Sequence, residues 1–264
     1  MSRLASIVES KRREIEQLRS VARSDERPGH EPINVARALV RAPGAPLRLL
    51  AEFKRRSPSA GRLSESLDVD GRVIAYARAG ATMVSVLCDG PFFGGSWDDL
   101  ARARTTLDAR GLRVPLLAKE FVLDEVQIDQ ARAAGADAVL LIARIVSAER
   151  LRELFDATRS RGLEPLVEVM NEEELAAASA CGARIVGVNA RDLDTLAMDG
   201  ARAARILAAI PSGVVKVHLS GIKTEDDVRA LARGPADAAL LGEVLMRDDD
   251  PEPRLRALVA AASG

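Results

Sequence analysis

The chain has little of several features that usually announce a function. It has two cysteines, Cys88 and Cys181, and two histidines, His30 and His218, in 264 residues. That excludes a disulfide-stapled scaffold, and no cysteine cluster has the spacing of a zinc site. No run approaches the roughly 18 consecutive apolar residues of a membrane span. Charge of one sign is not in excess: 38 Lys and Arg against 39 Asp and Glu leave a net charge of −1. A general nucleic-acid binder usually carries a basic surplus, so that class is set aside. The opening segment, MSRLASIVESKRREIEQLRS, lacks an apolar h-region and predicts a polar amphipathic helix rather than a secretory signal. The expectation is a cytoplasmic protein.

What is present is an ordinary globular composition, 47% hydrophobic and 29% charged, which excludes collagen, a coiled-coil rod and a disordered chain. Linker-like stretches occur at Arg27–Pro32 and Arg41–Pro46, both ahead of the first candidate strand. Four later segments share a helix end, a glycine, a small residue and an apolar run: ARAGATMVSVL, ARAAGADAVLLI, ASACGARIVGV and LARGPADAALLG. Their glycines, Gly80, Gly135, Gly182 and Gly234, suit left-handed helix C-caps. The apolar runs suit strands buried on both faces of a parallel sheet.

Strands are expected near Leu47–Lys54, Met83–Cys88, Val114–Lys119, Asp137–Ile142, Pro165–Met170, Arg184–Asn189, Val215–Ser220 and Ala238–Gly242. Helical patterns such as SAERLRELFDATRSRG separate them. Eight such units in one chain predict an α/β fold, a (β/α)8 TIM barrel, with residues 1–46 as an N-terminal helical extension and residues 1–264 as a single domain. A doubly wound open sheet is the alternative, and it lacks the G-x-G-x-x-G turn after the first strand.

A barrel of this kind carries its chemistry at the C-terminal strand ends. Strand one ends AEFKRRSPSAG, and Glu52 and Lys54, two apart, face the same side. Lys119 ends strand three, Glu168 lies in strand five, and Asn189 and Arg191 end strand six. Charges converging from several strands suit acid–base chemistry on an anionic substrate; each alone reads as a solvated rim residue or a structural ion pair. After strands seven and eight, Ser220, Gly221, Gly242 and Glu243 stand where small residues let backbone N–H groups reach a phosphate; that both glycines are simple turn residues is the equal alternative.

These motifs resemble the indole-3-glycerol-phosphate synthase family of tryptophan biosynthesis. AEFKRRSPSAG, FFGGS, LAKEF, LVEV, VGVNARDL, SGI and LLGEVLM occur in that family's order, and SIVESKRREIE is similar to its extra N-terminal helix. The resemblance implies ring closure of 1-(2-carboxyphenylamino)-1-deoxyribulose 5-phosphate with loss of CO2 and water, without a metal or an organic cofactor. It implies that Lys119 is the general acid, that Glu168 assists a later proton transfer, and that Glu52 tunes the lysines. Lys54 would hold an anionic group; Asn189 and Arg191 would orient the substrate. Ser57 would line the site, and Ser220, Gly221, Gly242 and Glu243 would bind phosphate. The implied partner is a phosphorylated small molecule, with no nucleic acid and no membrane. A monomer or weak homodimer is expected, with a tryptophan-pathway enzyme complex as a further possibility.

The chain departs from the family at three places. Leu219 stands before SGI where the family usually has Glu, Cys88-Asp89 replaces Thr-Glu after strand two, and Glu120 replaces Asp after Lys119. These departures motivate two alternatives: a diverged paralogue using Lys119 on a related phosphorylated substrate, and a non-catalytic phosphate-ligand-binding barrel. His218 reads as a barrel-wall residue, with its side chain on the opposite face from Leu219. Cys88 reads as a packed thiol and Cys181 as helix-face packing. Aromatics are scarce, and the loop placement of Phe92, Phe93 and Trp97 around GGS makes them candidates to cover the substrate's aromatic ring, with packing on the N-terminal helix as the other reading, above all for Trp97. The run Arg247–Asp250 reads as a solvated helix entry.

Overall fold

A computed structural model describes residues 2–20, 30–57, 61–63 and 68–263. Residues 27–29 of the first linker-like stretch and 58–60 of the strand-one motif lie outside the described residues. Eight parallel strands close into a barrel: β1 (Arg48–Phe53), β2 (Met83–Leu87), β3 (Leu116–Lys119), β4 (Ala138–Ile142), β5 (Glu164–Val169), β6 (Ile185–Asn189), β7 (Val215–Leu219) and β8 (Ala238–Leu241). Every strand pairs with its sequence neighbours, and β1 closes on β8 with Arg48 opposite Ala238. Each expected strand is found within one or two residues. A two-residue antiparallel pairing, Arg56–Ser57 with Gly61–Arg62, follows β1.

The continuous apolar runs are explained by two cores. Inside the barrel, Leu50, Met83, Leu117, Leu140, Leu166, Ile185, Val217 and Leu240 pack together. The alternate residues of the same strands, such as Ala51, Val84, Val139 and Val186, pack outward against the helices. Full burial of one such side chain stabilises the fold by about 1.5–3 kcal/mol. Period-two alternation therefore serves two apolar layers here, not one apolar and one wet face.

The helices in chain order are α1 (Arg3–Ser20), α2 (Val35–Leu39), α3 (Val69–Arg78), α4 (Gly90–Phe93), α5 (Trp97–Ala109), α6 (Glu125–Ala133), α7 (Ala148–Ser160), α8 (Glu172–Ala180), α9 (Gly200–Ala209), α10 (Glu225–Ala232), α11 (Glu243–Met246) and α12 (Glu252–Ala261). Local chemistry starts many of them. Asp68 caps α3 through the Gly71 N–H, and Asp124 with Gln127, and Thr224 with Asp227, form capping boxes on α6 and α10. Each cap contributes about 1 kcal/mol. Gly80, Gly135 and Gly182 take the left-handed conformation expected of them. Gly234 does not: Arg233 ends α10 in helical conformation and the chain turns without a positive φ.

Helix α1 buries Leu4, Ile7, Lys11 and Ile15 along one face. Leu4 and Ile7 join the interior core with Val35 and Leu39 of α2. The stretch after α2 is anchored by Arg41, whose guanidinium donates to the carbonyls of Ala45, Ala236 and Ala232.

Asp137, 1% exposed, gathers the N-terminal end of the barrel. Its carboxylate accepts the Leu116 N–H at 2.7 Å and the Ile33 N–H at 2.6 Å, and meets His30 Nε2 at 2.8 Å and Arg104 at 3.5 Å. One side chain thus ties β3, the segment before α2 and helix α5 together. Asp137→Ala strands these donors in a buried place and is expected to destabilise the protein by about 3–5 kcal/mol. Urea unfolding measures this; a loss under 1 kcal/mol would contradict the anchoring account.

Candidate active site

The C-terminal ends of the strands surround one cavity of about 430 Å³. Glu52, Lys54, Ser57, Phe93, Lys119, Glu168, Asn189, Arg191, Ser220, Gly221, Gly242 and Glu243 all line it. The structure therefore brings every sequence-predicted site residue to one place. Its floor is apolar, formed by Leu140, Leu219 and Leu240 at the top of the barrel interior.

Two lysine–carboxylate pairs stand on that floor. Glu52 and Lys54, both facing inward from β1, pair at 2.7 Å. Lys119 at the end of β3 meets Glu168 of β5 at 3.3 Å. Glu168 is 1% exposed, and its second oxygen accepts the Asn189 side-chain N–H at 2.9 Å. Asn189 in turn accepts the Arg191 backbone N–H at 3.0 Å. Burying a carboxylate is unfavourable unless it is paired and hydrogen-bonded, and Glu168 is both. Lys119 keeps some exposure, 17% of its side chain, so the ammonium edge faces the cavity.

One end of the cavity is built from backbone. Ser220, directly after β7, has φ 72°, a left-handed conformation that a non-glycine residue holds only where its surroundings enforce it. Leu196, in the loop after β6, has φ 60° and also lines the cavity. Gly242 lies close against the pair: a Cβ there would come within 2.5 Å of Glu52 Oε1 and 2.8 Å of Lys54 Nζ, so those side-chain ends would have to shift. Glu243 is held below the usual carboxylate range by the Arg247 hydrogen bond first, with Lys54 and Arg191 adding to it. Arg247 and Asp248, read from sequence as a solvated helix entry, in fact also line the mouth.

The aromatic residues divide by role. Phe93 lines the cavity and lies 6.0 Å, centroid to centroid, from Phe121. Phe92 packs at the edge of the interior core that includes α1 residues. Trp97 packs instead against the outer barrel–helix core and is not among the cavity-lining residues, which corrects both readings of it, as a ring cover and as packing on the N-terminal helix. Cys88 is buried, and burial pushes its thiol well up, which disfavours a thiolate. His218 is 9% exposed, with its pKa lowered by burial. It alternates with Leu219, which belongs to the interior core.

Sequence reasoning missed a buried cluster beside the cavity. Lys11 of α1, 1% exposed, meets Asp89 at 2.8 Å, Glu120 at 3.1 Å and Glu14 at 2.7 Å. Asp89 also accepts the N–H groups of Phe92 and Phe93, so it starts α4. Glu120 follows Lys119 and accepts the Phe121 N–H at 2.7 Å. Burial by itself would lower the Lys11 pKa, but Glu120, Asp89 and Glu14 together raise it. Burial pushes Glu120 up to about 7, with Lys11 opposing. The signal was in the sequence: a lysine occupying a core-facing position in the Leu4, Ile7, Lys11, Ile15 stripe.

A closed parallel barrel with paired acids and bases at its C-terminal mouth defines an acid–base enzyme of the TIM-barrel class. Solved structures of the same fold include thiamine phosphate pyrophosphorylase from Pyrococcus furiosus, 18% identical with a TM-score of 0.60 over 82% of this chain and 95% of that one. At that identity the likeness speaks for the fold alone. The family model for indole-3-glycerol phosphate synthase matches residues 4–258, and the chain belongs to that family. Curated relatives named indole-3-glycerol phosphate synthase include one from Kineococcus radiotolerans, 44% identical over 82% of this chain and 77% of the relative. Another, from Mycobacteroides abscessus, is 42% identical over 88% of this chain and 83% of the relative.

Three outcomes follow from this geometry. Lys11→Met leaves Asp89 and Glu120 as unpaired buried carboxylates and should destabilise the protein by about 3–5 kcal/mol in chemical denaturation; an unchanged midpoint would refute the cluster's role. Glu120 has a folded pKa above its unfolded value, so its contribution is fully present below about pH 4.5 and is lost as pH rises through about 7. Relative to Glu120→Gln, the wild type should therefore lose up to roughly 3 kcal/mol across that window; parallel stability curves would contradict the shift. Gly242→Ala should displace the Glu52–Lys54 pair and lower turnover by about 10–100-fold with the fold retained, as read by steady-state kinetics and circular dichroism.

Proposed function

We infer that this chain catalyses the indole-3-glycerol phosphate synthase reaction: ring closure, decarboxylation and dehydration of 1-(2-carboxyphenylamino)-1-deoxyribulose 5-phosphate to indole-3-glycerol phosphate, in tryptophan biosynthesis. It is a carboxy-lyase. The observation that carries the reading is the Lys119–Glu168 pair facing the same cavity as Glu52–Lys54, in a chain of this family.

In the mechanism we propose, the ring carbon bearing the carboxylate attacks the ketone carbon, and the ketone oxygen takes a proton from Lys119. A positioned acid contributes about 10²–10⁴-fold to such a step. The bond to the carboxylate then breaks, its electrons return to the ring, and CO2 leaves. Nearby lysines favour the electron density that develops. The hydroxyl leaves as water, and loss of a carbon-bound proton completes the indole ring. Glu168 is in contact with Lys119 and is held by Asn189, which supports it as the group that moves a proton in dehydration. Glu52 holds Lys54 and tunes it; Lys54 holds an anionic group of the substrate.

The remaining roles are proposed on position. Phe93, beside Phe121, covers the aromatic ring, and Ser57 lines the cavity next to it. Arg191 orients the substrate by charge-assisted hydrogen bonds. Backbone N–H groups at Ser220, Gly221, Gly242 and Glu243 receive the phosphate, so that both ends of a flexible substrate are held and its reacting atoms meet. We propose that residues 1–264 act as one barrel domain with residues 1–46 as the extension, in the cytoplasm and as a monomer or weak homodimer. In support, no helix among the described residues is long and apolar enough to cross a membrane. The exposed large hydrophobics among them are Val40 and Met198, too few for an extensive apolar interface.

One observation favours a second reading. Leu219 closes the floor with apolar surface where the family usually has a carboxylate, which suits a diverged member acting on a related phosphorylated substrate. Purified protein with the carboxyphenylamino-deoxyribulose phosphate and a chelator separates the two by the fluorescence of the indole product. Product forms under the main reading; absence of product from folded protein rejects it. Lys119→Met should lower turnover by about 10²–10⁴-fold while the substrate still binds. A fully active Met variant would overturn the mechanism.

A further inference from the structure

We infer that Arg72 is a buried positioning residue for the substrate's phosphate group, holding the turn after β8 from behind and adding a positive charge inside its wall. The inference rests on the reading of the loops after β7 and β8 as the phosphate site.

Arg72 and Tyr76 lie one helical turn apart on α3, on the face turned to the barrel. Both side chains are wholly buried. Arg72 Nη1 donates to the Leu245 carbonyl at 2.9 Å. The Leu245 N–H donates in turn to the Gly242 carbonyl at 3.0 Å. The guanidinium is thus linked through one residue's backbone to the glycine at the mouth. Tyr76 OH donates to the Glu52 carbonyl at 3.3 Å and contacts Met246 Sδ at 3.4 Å. Together the two side chains grip β1 at Glu52 and α11 at its far end. Those are the two segments that converge on Gly242, beside the Glu52–Lys54 pair.

Packing alone does not call for an arginine here. A buried guanidinium is ordinarily matched by a carboxylate. Among the described residues Arg72 has no such ion pair; its Nε and Nη2 have no close hydrogen-bond partner, and its nearest polar side chain is the neutral Tyr76 hydroxyl, on which its charge acts. An uncompensated buried cation is unfavourable in the free protein. An anion on the outer side of the same turn reverses that balance, because charges separated by protein interior are screened far less than charges in water. Two cations on the open side are engaged already: Arg247 bonds Glu243 at 2.6 Å, and Lys54 bonds Glu52, while Arg191 and Lys223 also line the cavity. A doubly charged phosphate group is therefore the chemistry that an extra positive charge in this wall fits.

The test uses the full chain, with inorganic phosphate as probe in calorimetric titration and as competitor in steady-state kinetics. Arg72→Met should weaken phosphate binding about tenfold, or ~1.4 kcal/mol, and raise KM to a similar extent with kcat within about twofold. Its ligand-free melting temperature should hold or rise, since an unpaired buried charge is gone. Arg72→Lys, which keeps charge without the planar fork, should fall between Met and wild type. Wild-type phosphate affinity in a folded Met variant overturns the inference. So does a lowered melting temperature with unchanged KM, which is the signature of a structural role. Should Arg72→Met fail to fold, wild-type phosphate affinity in Arg72→Lys overturns it in its place. Gly242→Ala separates the two levels. If it weakens phosphate binding and Arg72→Met does not, only the role of Arg72 falls. If neither weakens it, the reading of the phosphate site falls as well.

Discussion

Charge pairing above an apolar barrel interior is the constraint on which the site depends. Below the mouth the interior is built from leucine, isoleucine, valine and methionine, and an isolated ion there would be driven to neutrality or out to solvent. The two lysines that stand on the cavity floor each meet a carboxylate: Lys54 meets Glu52, and Lys119 meets Glu168. A pair of this kind holds both partners in one geometry. It also leaves the lysine edge free to meet a developing oxyanion.

The shell around the pairs is held by buried polar anchors that touch no reacting atom. Helix α1 spans part of the mouth: its Leu4 N–H bonds Asp194 in the loop after β6 at 2.9 Å, and Lys11 binds the ends of β2 and β3 through Asp89 and Glu120. The extension thereby fixes the approach of Phe93 and Phe121 to the cavity. At the opposite end of the barrel Asp137 performs the corresponding service for β3 and α5. Such anchors are strong because removing one partner strands the other in low dielectric.

The fold was largely legible because a parallel barrel writes itself as apolar runs separated by capped helices. The strand limits differ from expectation mainly at the ends, where the last residue leaves the ladder, as Ser220 does after β7 and Gly242 after β8. The site residues were legible because strand period two puts Glu52 and Lys54 on one side, and because strand ends converge in this fold. Contacts between distant segments were less so. Nothing local in KRREIE says that Lys11 meets Asp89 and Glu120, and nothing in DGRVIAY says that Arg72 reaches Leu245. Trp97 and Gly234 were misread for a related reason: local pattern does not say which of two cores a side chain joins, or which end of a turn must relieve the backbone.

The central claim is that Lys119 and Glu168 work as one unit. A double-mutant cycle on turnover tests it most directly, using Lys119→Met, Glu168→Gln and the double variant in the same product assay. Residues that act as a unit are strongly non-additive. The account predicts that the double variant is little slower than the slower single variant. Losses that multiply, so that the double variant falls by the product of the two single effects, would contradict it.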